Sequence, residues 1–164
     1  MADNNTADTQ LPPAPFRFVA QYLKDLSFEN PGIINALTNP QREAPRGQVK
    51  FDVQARLTSP MQYEVCIILG INAMREQETV YIAHVEYAGL FDVSGVPEDR
   101  VMPLLMIEAP RLLFPFAREI LAAATNAGAY PPVLLNPVDF AAFYQSHVQR
   151  RAAAGEPALT LPQA

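Results

Sequence analysis

Apolar and polar residues alternate over long stretches in the middle of the chain, and this two-residue period restricts the possible folds more than any other feature. In the stretch from Val49 to Leu57 every second residue is apolar, and the residues between them are Lys, Asp, Gln and Arg. A two-residue period places alternate side chains on opposite faces of a strand. This stretch therefore predicts a strand with one buried and one solvated face.

Three further stretches predict strands on either side of it. Met61 to Ala73 has the same alternation, and its middle is apolar on both sides, which is typical of an interior strand. A polar turn at Met74 to Gln77 separates it from the alternating stretch Thr79 to Val93. Near the start of the chain, Phe16 to Glu29 begins with alternating apolar residues. Four consecutive strands without helices between them predict an antiparallel sheet.

A helical period replaces the alternation after Pro97. Apolar residues three to five positions apart predict an amphipathic helix that ends by Gly128. We expect a break or kink at Pro110 and Pro115, because proline lacks the amide donor and clashes with the preceding turn. The straightest part of the helix should then be 116–126.

A second helix is predicted after it. Asn136 is a suitable N-cap, Pro137 suits the first helical position, and Asp139 complements the positive end of the helix. The sequence therefore predicts the α+β class, with a four-stranded antiparallel sheet and two helices.

The length of the chain and its ends predict one domain between two tails. A chain of 164 residues is most simply one domain. Residues 1–15 and 152–164 are rich in polar residues or proline and poor in large apolar ones, so we expect both to be disordered and the domain to span 16–151. Gly32 to Gly47 has no steady period and contains two prolines, which predicts a long connection with a functional role.

Composition excludes several classes of partner. The net charge is −5, the pI is about 5.0, and lysine and arginine are scattered, so a nucleic-acid or anionic-membrane surface is not expected. The single Cys66, the lack of a signal-peptide pattern and the lack of a membrane-spanning stretch predict a soluble protein of the cytoplasm. Hydrophobic residues make up 49% of the chain, which favours self-association.

Searches for catalytic and metal sites give no candidate with a complete set of groups. The seven glycines form no phosphate-binding motif, and Cys66 in an apolar strand is expected to be an inert core residue. His84 and Glu86 share a strand face but provide only two of the roughly four ligands of a structural zinc site. Glu76 and Glu78 are most simply solvated turn residues. We therefore expect no catalytic residue, no metal and no cofactor, and not an enzyme.

An aromatic stripe on the second helix has two interpretations. Phe140, Phe143 and Tyr144 either pack on the domain's own sheet or remain partly exposed. In the second case, the helix and the long connection would leave an elongated apolar trough between them. Such a trough suits an extended polypeptide better than a compact metabolite.

Four blocks of sequence resemble a known family. They are YLKDLSFENP at 22–31, AGLFDVSGV at 88–96, RLLFPFAREI at 111–120 and PPVLLNPVDFAAFY at 131–144. In this order and spacing they resemble the SecB family of bacterial protein-export chaperones, over roughly Phe16 to Arg151. The resemblance implies a dimer of dimers without catalytic activity. It also implies an ATP-independent chaperone that holds precursor chains unfolded in the cytoplasm of Gram-negative bacteria and passes them to the SecA ATPase.

The resemblance also gives an interpretation of the acidic residues near the start of the chain. In a regular strand Leu23, Asp25, Ser27 and Glu29 would share one face, and Tyr22, Lys24, Leu26 and Phe28 the other. By resemblance, the row with Asp25 and Glu29 is the docking surface for the zinc-bearing tail of SecA, so the zinc belongs to the partner. The turn after the third strand departs from the family, because the family's turn adds a small apolar residue and an acid to this surface, whereas this chain has Arg75, Glu76 and Gln77 there. Glu76 or Glu78 is expected to substitute.

For client polypeptides, the resemblance points to a trough lined by the long connection, the second strand and the last helix. The expected client-binding residues are Phe51, Val53, Leu57, Phe140, Phe143 and Tyr144. The apolar helix that contains LLFPFAREI has more apolar surface than one sheet covers, which places it between protomers, with Arg118 and Glu119 as a pair across that contact. Two alternatives stay open: a small-molecule-binding α+β domain, and a structural subunit of an assembly.

Overall fold

Four strands of 13 to 15 residues form one antiparallel sheet with the order β1-β4-β3-β2 in the described part of the chain. The computed structural model describes residues 16–39, 43–155 and 161. Its elements are β1 (Arg17–Glu29), α1 (Ile33–Thr38), β2 (Arg46–Ser59), β3 (Gln62–Arg75), β4 (Glu78–Asp92), α2 (Glu98–Pro103), a π-helical segment (Leu104–Glu108), α3 (Ala109–Ala127) and α4 (Phe140–Ala153). The predicted fold class and the four predicted strands are confirmed.

The core lies between one face of the sheet and the helices. Val65, Ile67 and Leu69 on β3 are fully buried, as is Val85 on β4. From α3, Leu113 and Leu121 pack against this layer and are also fully buried. Among the described elements, no helix covers the other face of the sheet. This asymmetry follows from the alternation, because an antiparallel sheet needs to bury only one of its faces.

The first long helix differs from its prediction at the prolines. Pro110 is the second residue of α3, and the π-helical segment directly before it replaces the regular α-helical pattern between α2 and α3. Pro115 lies inside α3, yet the helix runs unbroken to Ala127. Since Leu113 and Ala117 on either side of Pro115 are fully buried, packing on the sheet outweighs the one lost hydrogen bond. No break occurs at Pro115, whereas the π-helical segment is an irregularity that adjoins Pro110.

The last helix begins later than predicted. Residues 131–139 are not helical, and α4 starts at Phe140 with Asp139 as its N-cap, whose carboxylate accepts a hydrogen bond from the Ala142 amide at 3.0 Å. Asn136 is therefore not the cap. In the preceding segment, the Thr125 hydroxyl accepts a hydrogen bond from the Val133 amide at 3.0 Å. Asn136 and Asp139 are both acceptable caps by residue type, and the structure uses Asp139.

The long connection and the two tails differ in how much of their structure is described. The connection contains α1, a helix of six residues that the sequence did not indicate. The N-terminal tail, 1–15, lies outside the described residues, and so does most of 152–164. α4 extends to Ala153, and Leu161 is partly buried against the core. Within the described ranges, no helix combines the length and the apolar character that a membrane crossing requires.

Candidate functional site

The helix-free face of the sheet carries the acidic residues of β1. Asp25 lies opposite Glu86 of β4, and Glu29 lies opposite Ile82. These positions alternate with Leu26 and Phe28, which point towards the helices. Asp25 and Glu29 are both exposed. At about 3.3 Å per residue, their backbones are roughly 13 Å apart on one face, a spacing that suits a protein surface better than a single ion.

A bulge in β1 changes which residues share a face. Leu23 pairs with Tyr87 and Asp25 pairs with Glu86, so Lys24 has no partner in the ladder. A β-bulge of this kind inserts one extra residue and shifts the alternation. Leu23 therefore lies on the helix side, not beside Asp25 as a regular strand predicts. The three-residue spacing of Leu23 and Leu26 does not by itself distinguish this bulge from a regular strand with the two leucines on opposite faces.

Glu64 of β3 is a buried carboxylate on the helix-free face, with its side chain 5% exposed. Oε1 accepts a hydrogen bond from the Tyr22 hydroxyl at 2.5 Å, and Oε2 accepts from Lys24 Nζ and Arg56 Nη2, each at 3.0 Å. Tyr22 and Lys24 thus lie on the same face as Asp25, whereas strict alternation predicts the opposite face. Sequence reasoning did not identify Glu64.

The charges in this cluster shift two pKa values. Burial acts to raise the pKa of the Glu64 carboxyl, but the hydrogen bonds from Tyr22, Lys24 and Arg56 outweigh it, so the pKa lies below its ordinary value. Burial and the adjacent Glu64 carboxylate raise the pKa of Tyr22 to about 12. Glu64 is therefore ionised and Tyr22 neutral over the physiological range.

His84 lies among the acidic residues of the helix-free face. Its Nε2 is 3.2 Å from Glu86 Oε1 and 3.9 Å from Asp25 Oδ2. These side chains belong to neighbouring strands, since β1 and β4 pair directly. In the part of the chain that the structure describes, no group of three or more histidine, cysteine or acidic residues is arranged to hold a metal. Cys66 is buried, and burial raises the pKa of its thiol to about 11.

The turn between β3 and β4 lies beyond Glu29, at one end of the sheet. Glu76 has a positive φ of 54° in this turn, and Glu78 accepts a hydrogen bond from Asn35 Nδ2 of α1 at 3.4 Å. The Arg75 Nε donates a hydrogen bond to the backbone carbonyl of Glu43 at 2.8 Å, which ties the turn to the long connection. A cavity of about 510 Å³ lies between them, lined by Arg75, Glu76 and residues of 43–48 and 72–74.

The six expected client-binding residues differ in burial. Val53 and Phe140 are 4% and 2% exposed and belong to the core. Phe51, Leu57, Phe143 and Tyr144 are partly buried and pack against it. The ring centroid of Phe51 is 5.1 Å from that of Phe143 and 5.9 Å from that of Phe140, so α4 packs directly over β2. For Phe140 the structure supports the packing interpretation of the aromatic stripe.

Three aliphatic side chains that sequence reasoning missed are more exposed than the aromatic stripe. Ile34 and Leu37 on α1 are 71% and 63% exposed, and Leu134 before α4 is 77% exposed. They lie in segments without a regular period, so no hydrophobic pattern drew attention to them. The only sign of these exposed side chains in the sequence is that large aliphatic residues occur within segments that have no hydrophobic period.

A second exposed apolar surface lies where β1 and α3 meet. Leu23, Leu26, Leu112 and Phe116 are each 44–46% exposed, and the Phe116 ring stacks on Tyr87 with centroids 5.9 Å apart. These four residues are called the β1–α3 surface below. The Arg118 guanidinium lies 5.8 Å from the Phe114 ring centroid, and Nη1 donates to the Leu135 carbonyl at 3.4 Å. A pairing of Arg118 with Glu119 across protomers stays a prediction.

Comparisons with known proteins identify relatives over almost the whole chain. The family described as "Preprotein translocase subunit SecB" matches residues 9–151. The protein-export protein SecB of Maricaulis maris is 47% identical over 93% of this chain and 89% of its own length. SecB of Rhodopseudomonas palustris is 40% identical over 94% of this chain and 96% of its own length.

A solved structure has the same fold at low sequence identity. It is the SecB-like chaperone Rv1957 of Mycobacterium tuberculosis, in complex with a peptide from the HigA1 antitoxin. Its TM-score is 0.58 at 18% identity, covering 75% of this chain and 90% of that one. This likeness supports the architecture of the sheet and helices.

Proposed function

The chain belongs to the SecB family of protein-export chaperones, and from this premise we propose how it acts. It holds unfolded precursor polypeptides in a state that can be translocated and delivers them to the SecA ATPase, without using ATP itself and in the cytoplasm. The observation that carries the proposal is the family match over residues 9–151, which includes every described strand and most of α4.

Client capture is attributed to the exposed apolar side chains around α1 and α4. Ile34, Leu37 and Leu134 offer exposed apolar area, and Phe51, Phe143 and Tyr144 add a partly buried floor of aromatic rings between β2 and α4. Burying one large client side chain contributes roughly 1.5–3 kcal/mol before the cost of ordering, so one short segment binds weakly. Val53 and Phe140 support this floor from the core.

Tight holding then requires several such surfaces in one assembly. We propose the dimer of dimers of the family, with the β1–α3 surface buried between protomers. The support is the exposure of four large side chains on that surface, which a second copy would remove from water. Once one client segment is bound, the next is at an effective concentration of about 1 mM, which raises the overall affinity by about 10² to 10⁴.

Delivery to SecA is attributed to the exposed acids of the helix-free face. Asp25 and Glu29 would contact the zinc-bearing tail of SecA, and Glu76 and Glu78 would extend the surface at the β3–β4 turn. What supports this is their common exposure and, for the first pair, their common face. The Arg75 side chain is held at the Glu43 carbonyl and has no ion pair with Asp25 or Glu29 among the described residues.

Client holding is tested with a chemically unfolded precursor that refolds spontaneously. The protein should slow refolding in proportion to its concentration up to a stoichiometric ratio, without added ATP, because rebinding competes with folding. A refolding rate that is unchanged at a molar excess of the protein would contradict the chaperone function. The small-molecule-binding alternative predicts that unchanged rate.

Docking is tested by replacing the two exposed acids. The double variant Asp25→Ala/Glu29→Ala should weaken SecA binding at least about tenfold in calorimetry, because rim charges of this kind steer and orient a charged partner. Client holding should persist. The control is Glu98→Ala/Asp99→Ala, which removes two exposed acids in the first turn of α2. Loss of both activities, or equal weakening in the control, would contradict the docking surface.

A further inference from the structure

Leu161 lies beyond the last helix, yet it packs on the core of the domain. Its side chain is partly buried and contacts the cluster of buried core residues. It stands six residues after Gly155 and ten residues after Arg151, where the family match ends. A large apolar side chain from outside the matched region thus covers part of the core surface.

The second half of α4 does not reach the core itself. On this helix Phe140 belongs to the core, and Phe143 and Tyr144 pack against it. One turn further on, Val148 is 38% exposed and does not pack against the core, and residues 152–155 are all exposed. Leu161 therefore meets core residues that the end of α4 does not touch.

Gly155 takes the chain out of the helical path at the end of α4. Its φ of +70° lies in the left-handed region, which glycine adopts without strain and which commonly ends a helix. The Ala154 amide donates to the Arg150 carbonyl at 3.0 Å, and the Gly155 amide donates to the Ala152 carbonyl at 3.2 Å. Pro157 follows two residues later and cannot continue a helix. The chain therefore changes direction at a defined place.

From this place the chain is long enough to bring Leu161 back to the rings of Phe143 and Tyr144. Gly155 is eleven residues after Tyr144, which is about 16 Å along a helix axis. Six residues span at most about 20 Å when they are extended. A direct return along α4 therefore reaches these two rings and Phe51, whose ring centroid is 5.1 Å from that of Phe143.

The residues around Leu161 have the composition of an apolar client segment. The stretch 157–162 reads Pro-Ala-Leu-Thr-Leu-Pro and contains no charged residue. Phe51, Phe143 and Tyr144, called the aromatic floor below, are partly buried rings on which an aliphatic side chain loses contact with water. Because the segment is tethered to α4, its effective concentration at this floor is about 1 mM.

We propose that Leu161 binds the aromatic floor of its own protomer in the place of a client side chain. The inference rests on the proposed capture of clients at that floor. A protomer whose floor is occupied cannot bind a client segment there, so the contact lowers the apparent affinity for a single segment. It thereby raises the number of apolar segments that a polypeptide must offer before the assembly holds it.

Deleting residues 156–164 tests the competition. The shortened protein should bind a short leucine-rich peptide, blocked at both ends, about fivefold more tightly than the full chain in calorimetry, because every floor is then free. Leu161→Asp should give a similar gain in the full-length chain, since a carboxylate is not accepted on apolar rings. Gln163→Asp is the control, because it adds the same charge two residues further on and keeps Leu161.

Two results of these binding measurements would contradict the proposal. One is an affinity for the peptide that neither the deletion nor Leu161→Asp changes. The other is an equal gain in Gln163→Asp, which would assign the effect to the added charge and not to the apolar contact.

A readout without a client keeps this inference distinct from the proposed chaperone function. In methyl-labelled protein, the methyl groups of Leu161 should show nuclear Overhauser effects to the ring protons of Phe143 or Tyr144, and added peptide should weaken them. Their absence contradicts the proposed position of Leu161. Effects seen only between separately labelled protomers in a mixture would assign the floor to the tail of a second copy, which also contradicts it.

If neither the full chain nor the shortened chain binds the peptide or slows the refolding of a precursor, client capture fails and the competitive role fails with it. The nuclear Overhauser effects then still decide whether Leu161 lies on the aromatic floor.

Discussion

β1 and β2 are the two edge strands of one sheet, but their helix-side faces differ in how far they are buried. On β2, Val53 is buried and the Phe51 ring lies among the rings of Phe114, Phe140 and Phe143. On β1 none of the 13 residues is buried, and Leu23 and Leu26 remain 44% exposed. Both strands carry apolar residues towards the helices, so composition does not explain the difference.

The path of the chain after α3 explains it. α4 returns over β2 and fills that side with Phe140, whereas the described part of the chain provides no such cover for Leu23 and Leu26. β1 also contains two bulges between Phe18 and Asp25, whereas β2 is regular up to Leu57. The helix-side face of β2 is thus buried within a single protomer. The uncovered edge is where we place both the assembly contact and the docking acids.

The largest effect is expected from removing the cover of β2. Phe140→Ala should lower the free energy of unfolding by about 3–5 kcal/mol, because it deletes a fully buried aromatic ring and leaves a cavity. Leu26→Ala on β1 should cost less than half as much in the isolated protomer, since that side chain is already half exposed. Urea unfolding of both variants, at a protein concentration low enough that single protomers predominate in sedimentation, measures the difference.

Val148→Ala is the control for Phe140 within α4, because Val148 is 38% exposed and should change stability by only about 0.5 kcal/mol. If Phe140→Ala and Leu26→Ala lower the free energy of unfolding equally, the two edge strands are buried to the same extent and the contrast between them is wrong.

An intermediate effect is expected on association. Leu26→Asp should weaken self-association at least about tenfold, because a carboxylate buried between protomers lacks a partner. Sedimentation of the variant should give a smaller mass, with an unchanged far-ultraviolet spectrum. Ile34→Asp is the matched control on α1, where the side chain is 71% exposed, and should keep the wild-type mass. If Leu26→Asp keeps that mass too, the β1–α3 surface is not the contact.

The smallest effect is expected at alkaline pH and concerns only β1. The pKa of Tyr22 is raised to about 12, so the folded state keeps its proton more strongly than the unfolded chain, whose tyrosine titrates near 10. This contribution to stability is complete below about pH 10 and is lost as the pH rises through about 12. Titrating the phenolate absorbance should show a transition near 12 that Tyr22→Phe lacks.

β2 contains no tyrosine that is hydrogen-bonded to a carboxylate, so the loss of stability in Phe140→Ala should not change between pH 10 and 12. If the Tyr22→Phe variant keeps the transition near 12, another tyrosine is responsible and the contact with Glu64 is not what raises the pKa.

The strands were the most predictable part of the molecule. The alternation at Val49 to Leu57 predicted β2 within three residues at each end, because a half-buried strand needs that period and little else. The row of acids on β1 was predictable only in part. Asp25 and Glu29 share one face as predicted, but Leu23, which regular alternation places beside them, lies on the helix side because of the bulge at Lys24.

The burial of the aromatic stripe on α4 was less predictable still. The aromatic stripe was recognisable on α4, yet whether Phe140 is exposed depends on how α4 packs against Phe51, a residue nearly 90 positions away in the chain. Asn136 and Asp139 are both acceptable caps by residue type, and the structure uses Asp139. Local preferences of similar strength leave such choices open.

The sequence by itself determined the order of the strands along the chain, the class of the fold and the membership of the SecB family, because these depend on local period and on blocks of residues in a fixed order. Only the tertiary structure decided the phase of β1, the burial of Glu64 and the cover over β2. Each of these depends on side chains that are distant in sequence and meet only when the sheet has formed, so no local pattern contains them.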